Sequence, residues 1–447
     1  MANLSFEQPR PAEQGPRSDK AADRAAPAFE AHPLRGVVLQ EIHSRPFHPL
    51  ETPAQLAHFA FTTDLAQSSA DRRAIAVFCA KNGVAAPGAA AKQHHVALKD
   101  LALRWEQHSE FTTYTFIVEG AAAASFEEAR ALAATIMASL PQPGPLLVSA
   151  ALSLERETQA PAIEENLDES SLVVSAMGRG AALVATDFRL AADGFVHILV
   201  RDRALTRNRA GALTQRLLEI ETYRTLALLG LPEAQRCAPR VKAVEDALTS
   251  ILNAMNADEG ALADHKLLDA MTRLAAELEA DVAASSFRFG ASRAYDSLVQ
   301  QRLAAIGEEP VGAFSTFASF LSRRMAPAMR TCQTMAARQA DLSEKLGRAA
   351  NLLRTRVDVE IERQNRDLLH SMNERTRLQL LLQQTVEGLS VAAISYYIVG
   401  LLGYAFKGLQ DLGIGPDPSL ATGAAAPLVV LAVALITWRI RRSHGEQ

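Results

Sequence analysis

The sequence predicts an α+β (or α/β) domain, then a helical layer, then one very long stalk helix, then a C-terminal pair of transmembrane helices. Three observations predict it. Between residues 34 and 205, runs rich in β-branched and aromatic residues surround one clear helix signal. After Arg203 the apolar pattern changes to a period of about 3.6 residues. Near the C-terminal end, GLSVAAISYYIVGLLGYAF (388–406) and AAAPLVVLAVALITW (424–438) carry no charge.

Residues 1–33 are rich in Pro, Ala, Gln and charge and lack apolar periodicity, so they are expected to form a disordered arm. They also lack the apolar stretch of a signal peptide. The α+β domain is expected over 34–205. RWEQHSEFTTYTFIVEG, 104–120, reads as a strand. ASFEEARALAATIMASL, 124–140, reads as a helix, with Ser125 as its cap and Glu128 three positions on, and PQPGP stops it. LLVSAALSLE, SLVVSAMG, ALVATDFRL and FVHILVRDR read as four further strands, and AADG (191–194) suits a hairpin turn between the last two.

A helical domain is expected over 206–326. Its stripes are Leu213, Leu217, Ile220 and Ala227, then Val241, Val244, Leu248, Ile251 and Met255, then Leu267, Met271, Leu274, Leu278 and Val282. Gly230 and Pro232 end the first stripe, and EEPVG (308–312) breaks the run. The stalk is expected over 327–387, with Pro327 starting or kinking it. Beyond Pro327 it holds no proline and only one glycine, Gly347. Leu346, Ala350, Leu353, Val357, Ile361, Leu368 and Met372 form its stripe. Such a helix is roughly 90 Å long at 1.5 Å per residue and must bury that stripe against partners, as coiled coils do.

The hairpin is expected over 388–440 and a basic tail over 441–447. Each apolar run approaches the ~20 residues that cross a hydrocarbon core. Tyr396, Tyr397, Tyr404 and Trp438 lie within or near the ends of the runs. Arg375 and Arg377 precede the first span, and Arg439, Arg441 and Arg442 follow the second. The connector holds one Lys and two Asp. The positive-inside rule then places both termini and the large domain on the cytoplasmic side. Gly388, Ala392, Gly400 and Gly403 allow close helix approach. Ser390, Ser395, Tyr396 and Tyr397 are the polar candidates to line a path.

At 447 residues, 48% hydrophobic and 21% charged, the chain is long enough for two or three folded domains. A net charge of −4 argues against nucleic acid as the main partner. Cys79, Cys237 and Cys332 lie far apart, with no CxxC and no Cys/His pair at zinc spacing. GxSxG, a P-loop, GxGxxG and HExxH are absent, and GRG at 178–180 is too short for a phosphate cradle, so neither an enzyme nor a cofactor is expected.

HPLRGVVLQEIHSRPFHPL, RWEQHSEFTTYTF and LSRRMAPAMRTC together resemble a bacterial family of membrane-anchored proteins catalogued as domain of unknown function thirty-four twenty-two. The likeness covers most of the chain beyond the arm and implies an inner-membrane location but no activity. The architecture is also similar to the CorA magnesium-channel superfamily: a soluble domain, a long stalk, two C-terminal spans and a basic tail. That resemblance implies a homo-oligomer, a pentamer for instance, around a pore made by the first spans, with a divalent cation as cargo. The family's Gly-Met-Asn at the outer end of the first span is missing. KGLQDLGIG follows Phe406, and the Met-Asn at 372–373 lies in the stalk.

EIHSRPFHPL, 41–50, is the remaining candidate. Seven of eleven histidines fall before residue 110: His32, His43, His48, His58, His94, His95 and His108. Glu41, Glu106 and Glu110 add carboxylates, but their spacing matches no metal motif. Pro46 and Pro49 push Arg45 and His48 to extended conformations. Glu41, His43, Arg45, His48, Trp105, Glu106, His108 and Glu110 are therefore read as a structural, interface or ligand cluster. Strand alternation puts Glu106, His108 and Glu110 on one face, and Arg45 is expected to pair with Glu106 or Glu110. Three functions stay open: ion conduction, a non-conducting membrane scaffold or assembly factor, and a ligand-sensing or enzymatic N-terminal domain.

Overall fold

A computed structural model describes residues 32–41, 47–89, 91–99, 101–120, 126–159, 167–256 and 261–444. The chain divides into two units, 1–240 with 281–339, and 241–280 with 340–447.

The first unit is a mixed α+β domain around one nine-stranded sheet. Its elements begin with α1 (Arg35–Glu41), β1 (Ala54–Thr62), α2 (Leu65–Lys81), β2 (Gln93–Ala97), β3 (Ala102–Gln107), β4 (Phe111–Glu119), α3 (Phe126–Ala138) and β5 (Leu146–Arg156). Then follow β6 (Val173–Met177), β7 (Ala182–Leu190), β8 (Val196–Asp202) and α4 (Arg207–Leu228). The strand order is β2-β3-β4-β1-β5-β8-β7-β6-β9, where β9 is Glu309–Pro310. Every pairing within the sheet is antiparallel except β5 with β8.

The four strands expected after residue 145 all form, and β7 and β8 pair across 191–195. The single strand expected over 104–120 is instead a hairpin. His108 N–H donates to the Phe111 carbonyl at 2.8 Å, and Trp105 faces Tyr114 across the ladder. Ser109 and Glu110 make the turn without Gly, Asn or Pro, so the strongest turn signals were missing. Glu106 and Glu110 therefore do not share one strand.

Strand alternation sorts the sheet into two faces. One buries Trp105, Tyr114, Phe116, Ile75, Phe78, Ala129 and Ala133 beneath α2 and α3. Asp64 and Gln67 form a capping box that starts α2. The other face meets α4, whose Leu213, Leu217, Ile220 and Ala227 are all buried. Thr206 caps α4, and the chain breaks at Leu229 before α5 (Gly230–Asn256). A Cβ on Gly230 would lie 2.5 Å from Ser292 Oγ and 3.0 Å from Cys332 Sγ, so packing there requires glycine.

α6 spans Ala261–Ala305, and α7 spans Phe317–Asp411, 95 residues. The stalk therefore begins ten residues before the expected position, and Pro327 sits inside it rather than at its start. The helix also runs unbroken through the first apolar segment, so stalk and span are one element. Glu308 fixes its start: Oε1 accepts from Phe317 N–H at 2.5 Å and from Ser175 Oγ at 2.6 Å, and Oε2 accepts from Ala318 N–H at 3.0 Å. A carboxylate at the positive end of a helix is favoured.

In the second unit, the end of α5, the start of α6 and α7 pack around Leu248, Ile251, Met271, Leu278, Leu346, Leu353 and Val357. Arg356 ties the three together, donating to the Met255 carbonyl at 2.6 Å and pairing with buried Asp264 at 2.9 Å. α5 ends at Asn256 and α6 starts at Ala261, so their cover stops there. Beyond Val357 the expected stripe lies open: Ile361 is 44% exposed, Leu368 59% and Met372 56%. α8 (Pro418–His444) completes the chain. α7 and α8 each contain a segment long and apolar enough to cross a membrane.

Candidate functional site

Two places in the described residues combine polar chemistry with an arrangement that demands explanation. The first is a buried polar layer between the sheet and α4. His58 on β1, Arg104 and Glu106 on β3, and Thr113 and Thr115 on β4 are all buried. α4 supplies Gln215, Glu219 and Thr222 from above. His58 Nδ1 bonds Thr115 Oγ1 at 2.8 Å and its Nε2 bonds Thr222 Oγ1 at 3.0 Å. Burial, helped by the nearby Arg104 charge, drives the His58 pKa down to about 3. The ring is therefore a neutral bridge from sheet to helix, with both nitrogens engaged.

Arg104 runs through the same layer. It lies 3.4 Å from Glu106 and donates to Gln215 Oε1 at 2.9 Å. Gln215 donates to Glu219 at 2.9 Å, and Glu219 pairs with Arg302 of α6. The charges alternate and leave one cavity of about 20 Å³ among His58, Arg104, Thr113 and Glu219. That is room for roughly one water and no larger ligand. His58, Arg104, Gln215 and Glu219 are each held by another side chain, which rigidifies the layer, while the Thr113 hydroxyl is buried beside the cavity without a hydrogen-bond partner among the described residues.

The expected cluster of eight residues is only partly assembled. Trp105 faces away from Glu106 and donates to Asp71 of α2 at 2.7 Å; Tyr114 donates to the same carboxylate. Burial raises the Asp71 pKa against those bonds. His108 stacks on Phe111 with ring centres 4.0 Å apart. Glu110 pairs with Arg288 of α6. His48 stacks on His95 at 4.3 Å, and their mutual charge adds to the burial that lowers the His95 pKa.

His43 and Arg45 lie outside the described residues; Glu41 closes α1, and its side chain lies outside them too. Among the described residues Glu106 lies beside Arg104 and Glu110 pairs with Arg288; the expected pairing with Arg45 falls outside them. The end of EIHSRPFHPL is nonetheless anchored. Leu50 N–H donates to the Arg207 carbonyl at 3.1 Å, and a Cβ on Gly211 would meet the His48 carbonyl at 1.8 Å. Residues 48–50 thus pack against the start of α4. Among the described residues no three His, Cys, Asp or Glu side chains converge as a metal site.

Sequence reading counted His58 among the clustered histidines without placing it in a site, and missed Arg104, Asp71, Gln215, Glu219, Thr222, Arg288 and Arg302. One usable signal existed: His58 is the lone titratable residue in AQLAHFAFT.

The second place is one face of α7. Ile361, Leu368, Met372, Gln379, Val386, Ser390, Tyr397 and Tyr404 follow at steps of seven, four, seven, seven, four, seven and seven residues, so they share a single stripe. All eight are exposed. Along the stalk the stripe is apolar except at Gln379, and it then carries hydroxyls through the span. Tyr397 is 72% exposed and Tyr404 79%. Tyr396 points about 100° away from Tyr397. Ser395 is only 3% exposed, covered within the hairpin, which takes it off any exposed face. Gly403 lies on that side, where its Cβ would come 3.5 Å from Thr422 of α8, whereas Gly388, Ala392 and Gly400 are exposed. Of the small residues expected to bring the spans together, Gly403 is the one that meets α8.

No curated protein and no solved structure matches the chain. A family model does, over residues 30–444, and the covered stretch includes the sheet, the polar layer, the stalk and both apolar helices. The chain therefore belongs to the family described as "Protein of unknown function (DUF3422)".

Proposed function

We propose that the chain works as a homo-oligomer anchored in the bacterial cytoplasmic membrane, with both termini inside, and that its bundled first spans conduct ions. The observation that carries the reading is the exposed stripe of α7. Apolar surface of this extent on a helix is stable in water only when covered. Self-association through Ile361, Leu368 and Met372 would bring Ser390, Tyr397 and Tyr404 of each copy to a common axis. The plan is CorA-like, and the span face carries hydroxyls with no carboxylate, which fits passage of hydrated ions without magnesium selectivity. The reading assigns the chain no reaction.

The test has two steps. The detergent-corrected mass of the full-length protein is expected to give one closed ring, such as a pentamer. Liposomes carrying it are then expected to pass mono- or divalent cations faster than empty ones. A monomer or dimer refutes the ring. A ring without flux refutes conduction and leaves a membrane scaffold.

A further inference from the structure

Far from the polar layer, on the opposite face of the sheet, a groove of about 930 Å³ runs between α2 and α3 with the β2–β3 turn at its end. Its size falls within the range of natural binding sites. Val77, Phe78, Leu132 and Ile136 make it apolar, and Val77 is 54% exposed. Arg73, Lys81 and Lys99 edge it, and no carboxylate lines it among the described residues. None of the three cations has an ion-pair partner among the described residues.

The spacing of the cations decides what fits. Arg73, Val77 and Lys81 stand at successive four-residue steps of α2, so they share one edge. Eight residues of helix place the α-carbons of Arg73 and Lys81 about 12 Å apart along its axis. A helix with carboxylates two turns apart has the same spacing and presents one to each cation, while its apolar side fills the groove. We propose that this groove docks an acidic amphipathic helix of a partner protein.

The test uses full-length protein in lipid nanodiscs and a labelled helical peptide of leucine, alanine and glutamate, with the glutamates two turns apart. The expected result is saturable binding that weakens with salt. The double variant Arg73→Glu/Lys81→Glu should bind about tenfold or more weakly, because attraction becomes repulsion. Both side chains are exposed, so the thermal melt should not change. If it does, Arg73→Ala/Lys81→Ala replaces the reversal and should still weaken binding. The proposal is overturned if the glutamate peptide does not bind, if a lysine version binds equally, or if the variants bind like the parent. Binding of oleate in place of the peptide would assign the groove to a lipid and overturn it as well.

Discussion

Lowering the pH should load the folded domain with a cost concentrated at His58. Its pKa is near 6.5 in an unfolded chain and about 3 in the fold, so between those values the unfolded state binds more protons. Stability then rises with pH through that window and levels off above 6.5. At pH 5, one and a half pH units below 6.5 at 1.36 kcal/mol each come to about 2 kcal/mol. His58 is fully buried, so solvent screening gives little relief. His58→Gln keeps a donor and an acceptor for Thr115 and Thr222 but cannot titrate. The assay is thermal unfolding of both proteins at pH 7.5 and pH 5, followed by the fluorescence of buried Trp105. The parent should lose about 4 °C more than the variant on acidification. Equal losses would show that His58 is not held neutral, and the account of the layer as a locked bridge would fail.

Other outcomes follow from packing and pairing. A double-mutant cycle with Glu110→Gln and Arg288→Met should give a coupling of about 1–3 kcal/mol by denaturant unfolding; additive single effects would refute the pairing. Gly211→Ala should cost about 1–3 kcal/mol, because its methyl would displace the His48 carbonyl. Leu353→Ala, fully buried, should cost about 2–5 kcal/mol, whereas its 64% exposed neighbour in Leu352→Ala should stay within about 0.5 kcal/mol. Leu368→Lys with Met372→Lys should lower the oligomer mass in detergent, while His370→Lys, on the far side of the helix, should leave it unchanged.

Elements that announce themselves locally were legible in the sequence. β5 to β8 are dense in Val, Ile and Leu, and the helices of the later half keep one unbroken period. Strand β1 was not legible because alanines and His58 dilute its alternation, although it sits between β4 and β5 near the middle of the sheet. The α7 start was masked by Pro327, whose usual breaking effect tertiary packing overrides here. The polar layer was hidden for a different reason. His58, Arg104, Gln215 and Arg302 come from four separate elements, and only the sheet order and the placement of α4 bring them together. Glu106, His108 and Glu110 looked like one face until the turn at 108–110 separated them.

The continuity of α7 has a mechanical meaning. From Arg348 to Glu387 the helix contains neither glycine nor proline, so it has no weak joint in which twist can dissipate. It behaves as a torsion rod. A turn of about 20° imposed at Val357 would sweep side-chain tips, some 6 Å from the axis, through about 2 Å at every level as far as Glu387, where Gly388 ends the joint-free stretch. Any event that rotates this helix at Val357 is thereby delivered to the threshold of its apolar end.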